Sequence, residues 1–409
     1  MTDNAAMRSL LFALLLAFLS PAFPQQGLDD ARHAVAAVEA ALKQRPDDPA
    51  LWFYMSRFQA DLGNKSASIA ALEKVAELGD GFLPARNLGF EKIWDDPKFQ
   101  EVVKRLESRL PRLDYAPTAF ELEDRAFLPE GVAYDAPSRD FFMGSTTKGT
   151  IVRIGWGNAV TVFAAKEAGL DSVLGLAVDA PRRTLYAVGT SALTDAGQTR
   201  RRNAVSAWEI DSGKLLRRVD VPGAMQLNDV SVALGGRVFA SDSASGAIFE
   251  IPKEGPARVL VPADTIRGSN GLAASPDAKR LYVAHSTGLA VVDLASGAVK
   301  RVSNSTRENI AAIDGLYEYQ GDLIGVQNTT NPGRVIAITL SKDGDAVTRV
   351  RTLLSHHHNG LDEPTTGAVT DHGFFLLAAT GVGHYSAKGV IDNPDTVPKP
   401  TVIRVLLPR

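Results

Sequence analysis

Four side chains that offer oxygen, Glu130, Asn228, Asn270 and Asp314, stand at the head of short, largely apolar runs: "PEGVAYD", "LNDVSV", "SNGLAAS" and "IDGLYEY". Two are carboxylates and two are amides, the donor types that a hard divalent cation prefers; Ca²⁺ takes about six to eight oxygens at roughly 2.3–2.6 Å. Held together without a cation, the carboxylates would repel each other and strand unpaired lone pairs. Zinc suits the set less well, because no histidine or cysteine stands at these positions. Each residue alone also reads as an ordinary turn former, since Asn and Asp before Gly commonly make turns. A shared register is what argues for a site.

The elements that must supply that register are short strands. Between Ser269 and Ser303 the sequence predicts four, at 271–275, 281–285, 288–293 and 298–302, joined by Ser-Pro-Asp, Ser-Thr-Gly and Ala-Ser-Gly turns. Equivalent heads recur at Leu128, Leu174 ("LGLAVD"), Leu227, Ser269, Ile313 and Glu363 ("EPTTGAV"), a spacing of about 40–55 residues and the period of a propeller blade. The outer hairpin "VVDLASGAVKRV" at Val291 also has a counterpart, "WEIDSGKLLRRV", at Trp208. The expected fold is an all-β six-bladed β-propeller over 120–409, preceded by a small α-helical domain. In a propeller the first strands lie innermost and run the same way around the axis. Their heads meet in a ring at one end of the channel, so Glu130, Asn228, Asn270 and Asp314 converge there, while Leu174 and Gly175 bring no ligand.

The helical part spans 27–113, with apolar residues three and four apart and breaks at Pro46 and Gly63. Within it, 49–78 resembles one tetratricopeptide repeat through Trp52, Leu62-Gly63, Ala71-Leu72 and Ala76, although Ser66 and Ser68 stand where small apolar residues are usual; "DDPKFQEVVKRLESRL" follows as a capping helix. A single repeat cannot bury its own face. This domain is therefore expected either to pack on the propeller as a spacer or lid or to hold a protein partner. Ahead of it, Arg8, the run "LLFALLLAFL" and Ser20-Pro21-Ala22 read as a signal peptide over 1–22, the run being too short for the roughly 20 residues of a membrane span. An exported protein, periplasmic or secreted, is expected.

Composition narrows the chemistry. The chain has 409 residues, 45% hydrophobic and 22% charged, a net charge of −3 and no cysteine. Thiol catalysis, thiolate metal sites and disulfides are excluded. Nucleic acid is not an expected partner: the longest basic run, "RRRN" at 200–203, reads as a solvated loop. Gly-Xaa-Ser-Xaa-Gly, P-loop and dinucleotide fingerprints are absent. "SHHHNGLDEP" at 355–364 could bind a metal, but three adjacent histidines cannot all face one ion from a strand, so a solvated loop is the expectation.

As an ordered set over 122–409, "PEGVAYD", "LNDV", "SNGLAASPD" and "IDG" resemble the senescence-marker-protein (regucalcin)/gluconolactonase/LRE-like family of six-bladed propellers. The resemblance implies that Glu130, Asn228, Asn270 and Asp314 surround a divalent ion, Ca²⁺ first and Mn²⁺ or Mg²⁺ as alternatives, and that Asp314 doubles as general base. In family members that act on sugar lactones an arginine stands two residues before the second-motif asparagine. Here that residue is Gln226, so a sugar lactone is not implied and a more apolar lactone or ester stays open. Gln226, Glu363 and His384 are the candidate substrate-facing residues.

Three functions follow: a metal-dependent hydrolase of a small lactone or ester, a non-catalytic binding module with a structural ion and a helical partner surface, and a metal-free enzyme of the strictosidine-synthase type. The intact oxygen ring weighs against the third. If the leader is removed at the small-residue site, N-terminal sequencing of the exported protein will read from near Phe23; an intact Met1 or Met7 in the cytosolic fraction would overturn the export reading.

Overall fold

The computed structural model describes residues 24–166, 169–195, 198–384, 391 and 393–408; the expected signal peptide lies outside them. Six sheets follow one another along the chain, antiparallel except where the short strand Ser303–Asn304 adds to the outer strand of blade five in parallel. Blades one to five span 129–164, 172–220, 227–261, 272–301 and 313–354. Blade six combines Gly367–Thr370, Gly373–Ala379 and Thr401–Val405 with Thr118–Glu121, which comes from ahead of blade one and pairs with Thr401–Val405 as the outer strand. One sheet thus ties the two ends of the propeller together. Between each pair of neighbouring blades lies one apolar cluster, as where Ala273, Tyr282 and Leu289 of blade four meet Ile313, Leu316 and Ile336 of blade five.

The strands expected between Ser269 and Ser303 form at Leu272–Ala274, Arg280–His285, Gly288–Asp293 and Val299–Arg301. The basic run at 200–203 is a correction, because it lies in the strand Gln198–Glu209, which pairs with Thr184–Asp195 in a long hairpin. Asn203 is what ties this strand down. Its buried amide donates to Ala224 O and accepts Leu227 N, linking blade two to the start of blade three.

Among the described residues four α-helices precede the sheets: α1 (Pro24–Leu42), α2 (Pro49–Asp61), α3 (Lys65–Leu78) and α4 (Pro97–Glu107). Asp48 and Asp96 cap α2 and α4 by accepting backbone N–H groups, with proline at the next position, where its missing donor costs nothing. Ser68, expected at an apolar position, is fully buried where α2 and α3 meet. Its hydroxyl donates to Ser56 O at 2.7 Å and lies 3.0 Å from Ser56 Oγ, so the helices approach closely with their polar groups paired. Among the described residues no helix is long and apolar enough to cross a membrane.

The helices sit on the ring face of the propeller, over blades four and five. Asn270, at the head of blade four, donates its N–H to Ala284 O, which places the turn after His285 at the same end of the blade. Tyr54 Oη donates to Ser286 O in that turn at 3.1 Å, and Arg45 reaches Thr287. Over blade five, Leu83 N donates to Thr330 O, Asn331 Nδ2 to Gly81 O, and Asp80 pairs with the chain at Arg307 and Asn309. Ala311 enters the helical core itself.

Near the axis the first strands are crowded. A Cβ on Gly131 would lie 2.1 Å from Leu174 O of the next blade, on Gly175 2.8 Å from Asn228 O, and on Gly271 2.3 Å from Asp314 O. Gly271→Ala should therefore cost about 1–3 kcal/mol through overpacking, whereas Gly189→Ala, whose Cβ would meet nothing closer than 3.7 Å, should be close to neutral. Denaturant melts of the two variants check this; equal midpoints would overturn the crowding argument.

Candidate functional site

Each first strand enters its blade through a bulge. In blades one, two, three and five the pairing register shifts between Pro129 and Gly131, Val173 and Leu176, Leu227 and Val230, and Ile313 and Leu316. In blade four Asn270 and Gly271 both bond to Ala284, and in blade six Thr365 and Thr366 both bond to Leu377. Two residues opposing one kink the strand and re-aim the first side chain of the pair. The first residues are Glu130, Leu174, Asn228, Asn270, Asp314 and Thr365. All four expected ring residues therefore share one register, while in blade six the register falls on Thr365 and not on Glu363.

The ring is joined across blades. Asn270 Nδ2 donates to Asp314 Oδ1 at 2.8 Å, and Asn328 Nδ2 donates to Oδ2 at 2.6 Å, so amides on either side fix the Asp314 carboxylate. Asn228 holds the same position in blade three and is half-buried. Glu130 is the discordant member: its backbone carbonyl accepts the hydroxyls of Thr365 and Thr366 at 2.9 and 2.7 Å, but its buried Oε2 has no hydrogen-bond partner. Buried carboxylate oxygens are nearly always paired.

Charge makes the conflict sharper. Glu130, Asp229 and Asp314 are all half-buried or more, with protein packed around them. Burial pushes Glu130 well above the ordinary carboxylate range, and the nearby Asp314 and Asp229 carboxylates push it further. Burial also raises Asp314 to about 6, against the lowering effect of Asn328 and Asn270. Asp229 is raised to about 7, first by burial, while bonds from Leu272 N and Val230 N pull the other way. Tyr317, whose Oη accepts Gly367 N at 2.7 Å, is raised well above 10 by burial and by the same carboxylates.

This donor set fits a divalent cation. Glu130 supplies an unpartnered carboxylate, Asp314 a second held in orientation, and Asn228 and Asn270 the amides, all oxygen donors suited to a hard ion. The four would hold the ion at the channel mouth.

Asp229, Tyr317 and Asn328 were not anticipated. For Asp229 the sequence does hold a signal. At the position after the ring residue, blades one, two, four and five carry Gly131, Gly175, Gly271 and Gly315, and blade three carries Asp229 instead. Its carboxylate accepts Leu272 N of blade four at 2.9 Å, joining the blades where the others approach through glycine. Asn328 lies beyond the second strand of blade five, and only the fold brings it to Asp314.

The three substrate-facing candidates lie around this mouth. Gln226 directly precedes the first strand of blade three, its N–H donating to Asp242 and its carbonyl accepting Ser243 N. The Glu363 carboxylate accepts Gly383 N and lies beside His384. His384 ends a short helical turn, Val382–His384, on the connection between the second and third strands of blade six.

No family model and no curated protein matches the chain. Among solved structures it is similar to a gluconolactonase from Xanthomonas campestris, with 18% identity over 73% of this chain and 91% of that one and a TM-score of 0.49. It is also similar to a putative oxidoreductase (glucose dehydrogenase) from Thermus thermophilus, at 15% identity, 71% and 99% coverage and TM-score 0.48. A luciferin-regenerating enzyme gives 12% identity, 72% and 95% coverage and TM-score 0.46.

The raised carboxylates fix the sign of a pH effect. An acid whose folded pKa exceeds its unfolded value keeps its proton in the native state after the unfolded chain has lost it, so stability falls as pH rises between the two values. For Asp314 and Asp229 that window runs from 3.8 to about 6 and about 7. Glu130→Gln loses no hydrogen bond at Oε2 and removes one charge. In chelator, it should melt above the wild type at pH 8, with the gap closing toward pH 4.5. Melting curves that stay parallel across this range would show that Glu130 is not under strain.

Proposed function

We propose that the protein is a divalent-metal-dependent hydrolase of small lactones or esters, with Ca²⁺ as the first choice of ion and Mn²⁺ or Mg²⁺ as alternatives. The observation that carries this reading is the buried, unpartnered Glu130 oxygen near Asp314, in a ring whose other polar donors include the amides of Asn228 and Asn270. When bound, the ion would polarise the substrate carbonyl and offset the negative charge of the attack.

The chain's own residues would do the rest. Asp314, raised to about 6, is ionised at neutral pH yet basic enough to take a proton from water, the range in which a general base works best. Asn270 and Asn328 orient its carboxylate. Glu130 holds charge in the ring and takes no proton in turnover. Leu174 and Tyr317 give the mouth apolar surface suited to a less polar acyl group, while Gln226, Glu363 and His384 would contact the substrate's polar atoms. In the same reading the protein works outside the cytoplasm.

A second reading, a binding module with a structural ion, draws on one observation. Between α1, α2 and blade four lies a cleft of about 440 Å³, lined by Val38, Leu51, Phe58, Arg45, His285 and Arg301, and a protein partner of the helical domain could occupy it.

Metal content of the purified protein followed by a lactone and ester panel separates the two. Saturating Ca²⁺ at about 100 times its dissociation constant should add roughly 2.7 kcal/mol of stability, and Asn270→Ala should blunt that gain. Asp314→Asn should lower turnover by about 10²–10⁴, the usual worth of a positioned base, even where metal is saturating. Glu130→Gln should instead be recovered by excess ion. Full recovery of Asp314→Asn with added metal would remove the base assignment, and a wild type that hydrolyses nothing on a broad panel would favour the binding module.

A further inference from the structure

The histidine run at 356–358 lies in a loop as expected, but the loop is half-buried and tied to the segment that joins α4 to the propeller. Ser355 N donates to Leu113 O at 2.8 Å, Ser355 Oγ accepts Leu113 N, and His358 Nε2 pairs with Ala116 O at 2.9 Å. His358 is thereby used as an anchor. The other two histidines stand in a turn with ring centroids 4.0 Å apart. They face Glu107, the last residue of α4.

We propose that Glu107, His356 and His357 form a second metal site, specific for a borderline transition-metal ion such as Zn²⁺, that clips the end of α4 to the connection between blades five and six. One ligand atom from each of the three residues lies within 4.8 Å of the others. His356 Nε2 and Glu107 Oε1 are 3.4 Å apart, long for a hydrogen bond but close to the ligand–ligand edge of about 3.4 Å that tetrahedral bonds of about 2.1 Å require. His356 presents Nε2 to this cluster, while its other ring nitrogen, Nδ1, is buried without a protein partner. His357 Nδ1 lies 3.0 Å from Ser355 Oγ, an outer contact of the kind that orients a ligating ring.

Two further features favour a cation here. Glu107 places a carboxylate at the C-terminal end of a helix, where the helix dipole disfavours negative charge and a positive ion offsets it. Imidazole nitrogen with a single carboxylate suits Zn²⁺, Cu²⁺ or Ni²⁺ and not the hard ions that an all-oxygen ring selects. The two sites should therefore take different metals.

The test is Zn²⁺ binding to the full chain in competition with a chromogenic chelator, for the wild type, Glu107→Gln, His356→Ala and Glu130→Gln. The wild type should hold one Zn²⁺ per chain, with affinity lowered at least tenfold in Glu107→Gln and His356→Ala and unchanged in Glu130→Gln. Glu107 is half-exposed, so Glu107→Gln should fold, and a thermal melt without metal confirms that it does. Its midpoint should then gain less from Zn²⁺ than the wild type's. The proposal is overturned if Zn²⁺ binding survives in both Glu107→Gln and His356→Ala, if it is lost in Glu130→Gln instead, or if the wild type binds none.

Discussion

Six first strands converge on one axis with almost no room between them, and the candidate site depends on that crowding. Where Gly131, Gly175 and Gly271 stand, a side chain would collide with the backbone of the next ring residue. Blades one, two and four can therefore show the channel only one side chain at this level, the residue before the glycine. Chain sequence thus dictates ring chemistry directly: Glu130, Asn270 and Asp314 are there because the next residue is small enough to let the neighbouring blade close.

The two junctions without glycine use polar atoms for the same contact. Asp229 accepts Leu272 N, and Thr366 donates its hydroxyl to Glu130 O. The second of these closes the propeller from blade six to blade one. It also holds the backbone of Glu130, the residue whose carboxylate is least satisfied. Closure and chemistry meet at one peptide group, which couples the order of the ring to the integrity of the whole propeller.

Much of this was legible in the sequence because propeller blades repeat a local pattern. Turn residues and alternating apolar runs mark the strands of blade four to within two residues, and the heads "PEG", "LND", "SNG" and "IDG" place four ring residues at one register. What the sequence concealed depends on contacts between distant segments. Thr118–Glu121 joins blade six only because the chain closes on itself, and Asn328 meets Asp314 only through the turn after its strand. In blade six, "EPTTG" offers Glu363 as the chemically attractive residue, whereas the bulge geometry selects Thr365. The histidine run forms the expected loop but is half-buried rather than solvated, because its partners Leu113, Ala116 and Glu107 lie more than two hundred residues away in the chain.

The helical segment bears on the ring as well. Had it packed on the far face, it would have no influence there, but its contacts fall on the turns that rise from blades four and five. Those are the blades that carry Asn270, Asp314 and Asn328. Buried Arg334 of blade five illustrates the coupling: its guanidinium packs against Gly81 of the helical segment, where a Cβ would lie 2.4 Å away, while its Nε donates to Gln327, the neighbour of Asn328. A short, packed path of contacts thus runs from Gly81 through Arg334 and Gln327 to the neighbouring amide that orients Asp314. The contacts of α2 and the 80–83 loop thus fall on the turns of two of the six blades, at the end of the channel where Asn270 and Asp314 stand.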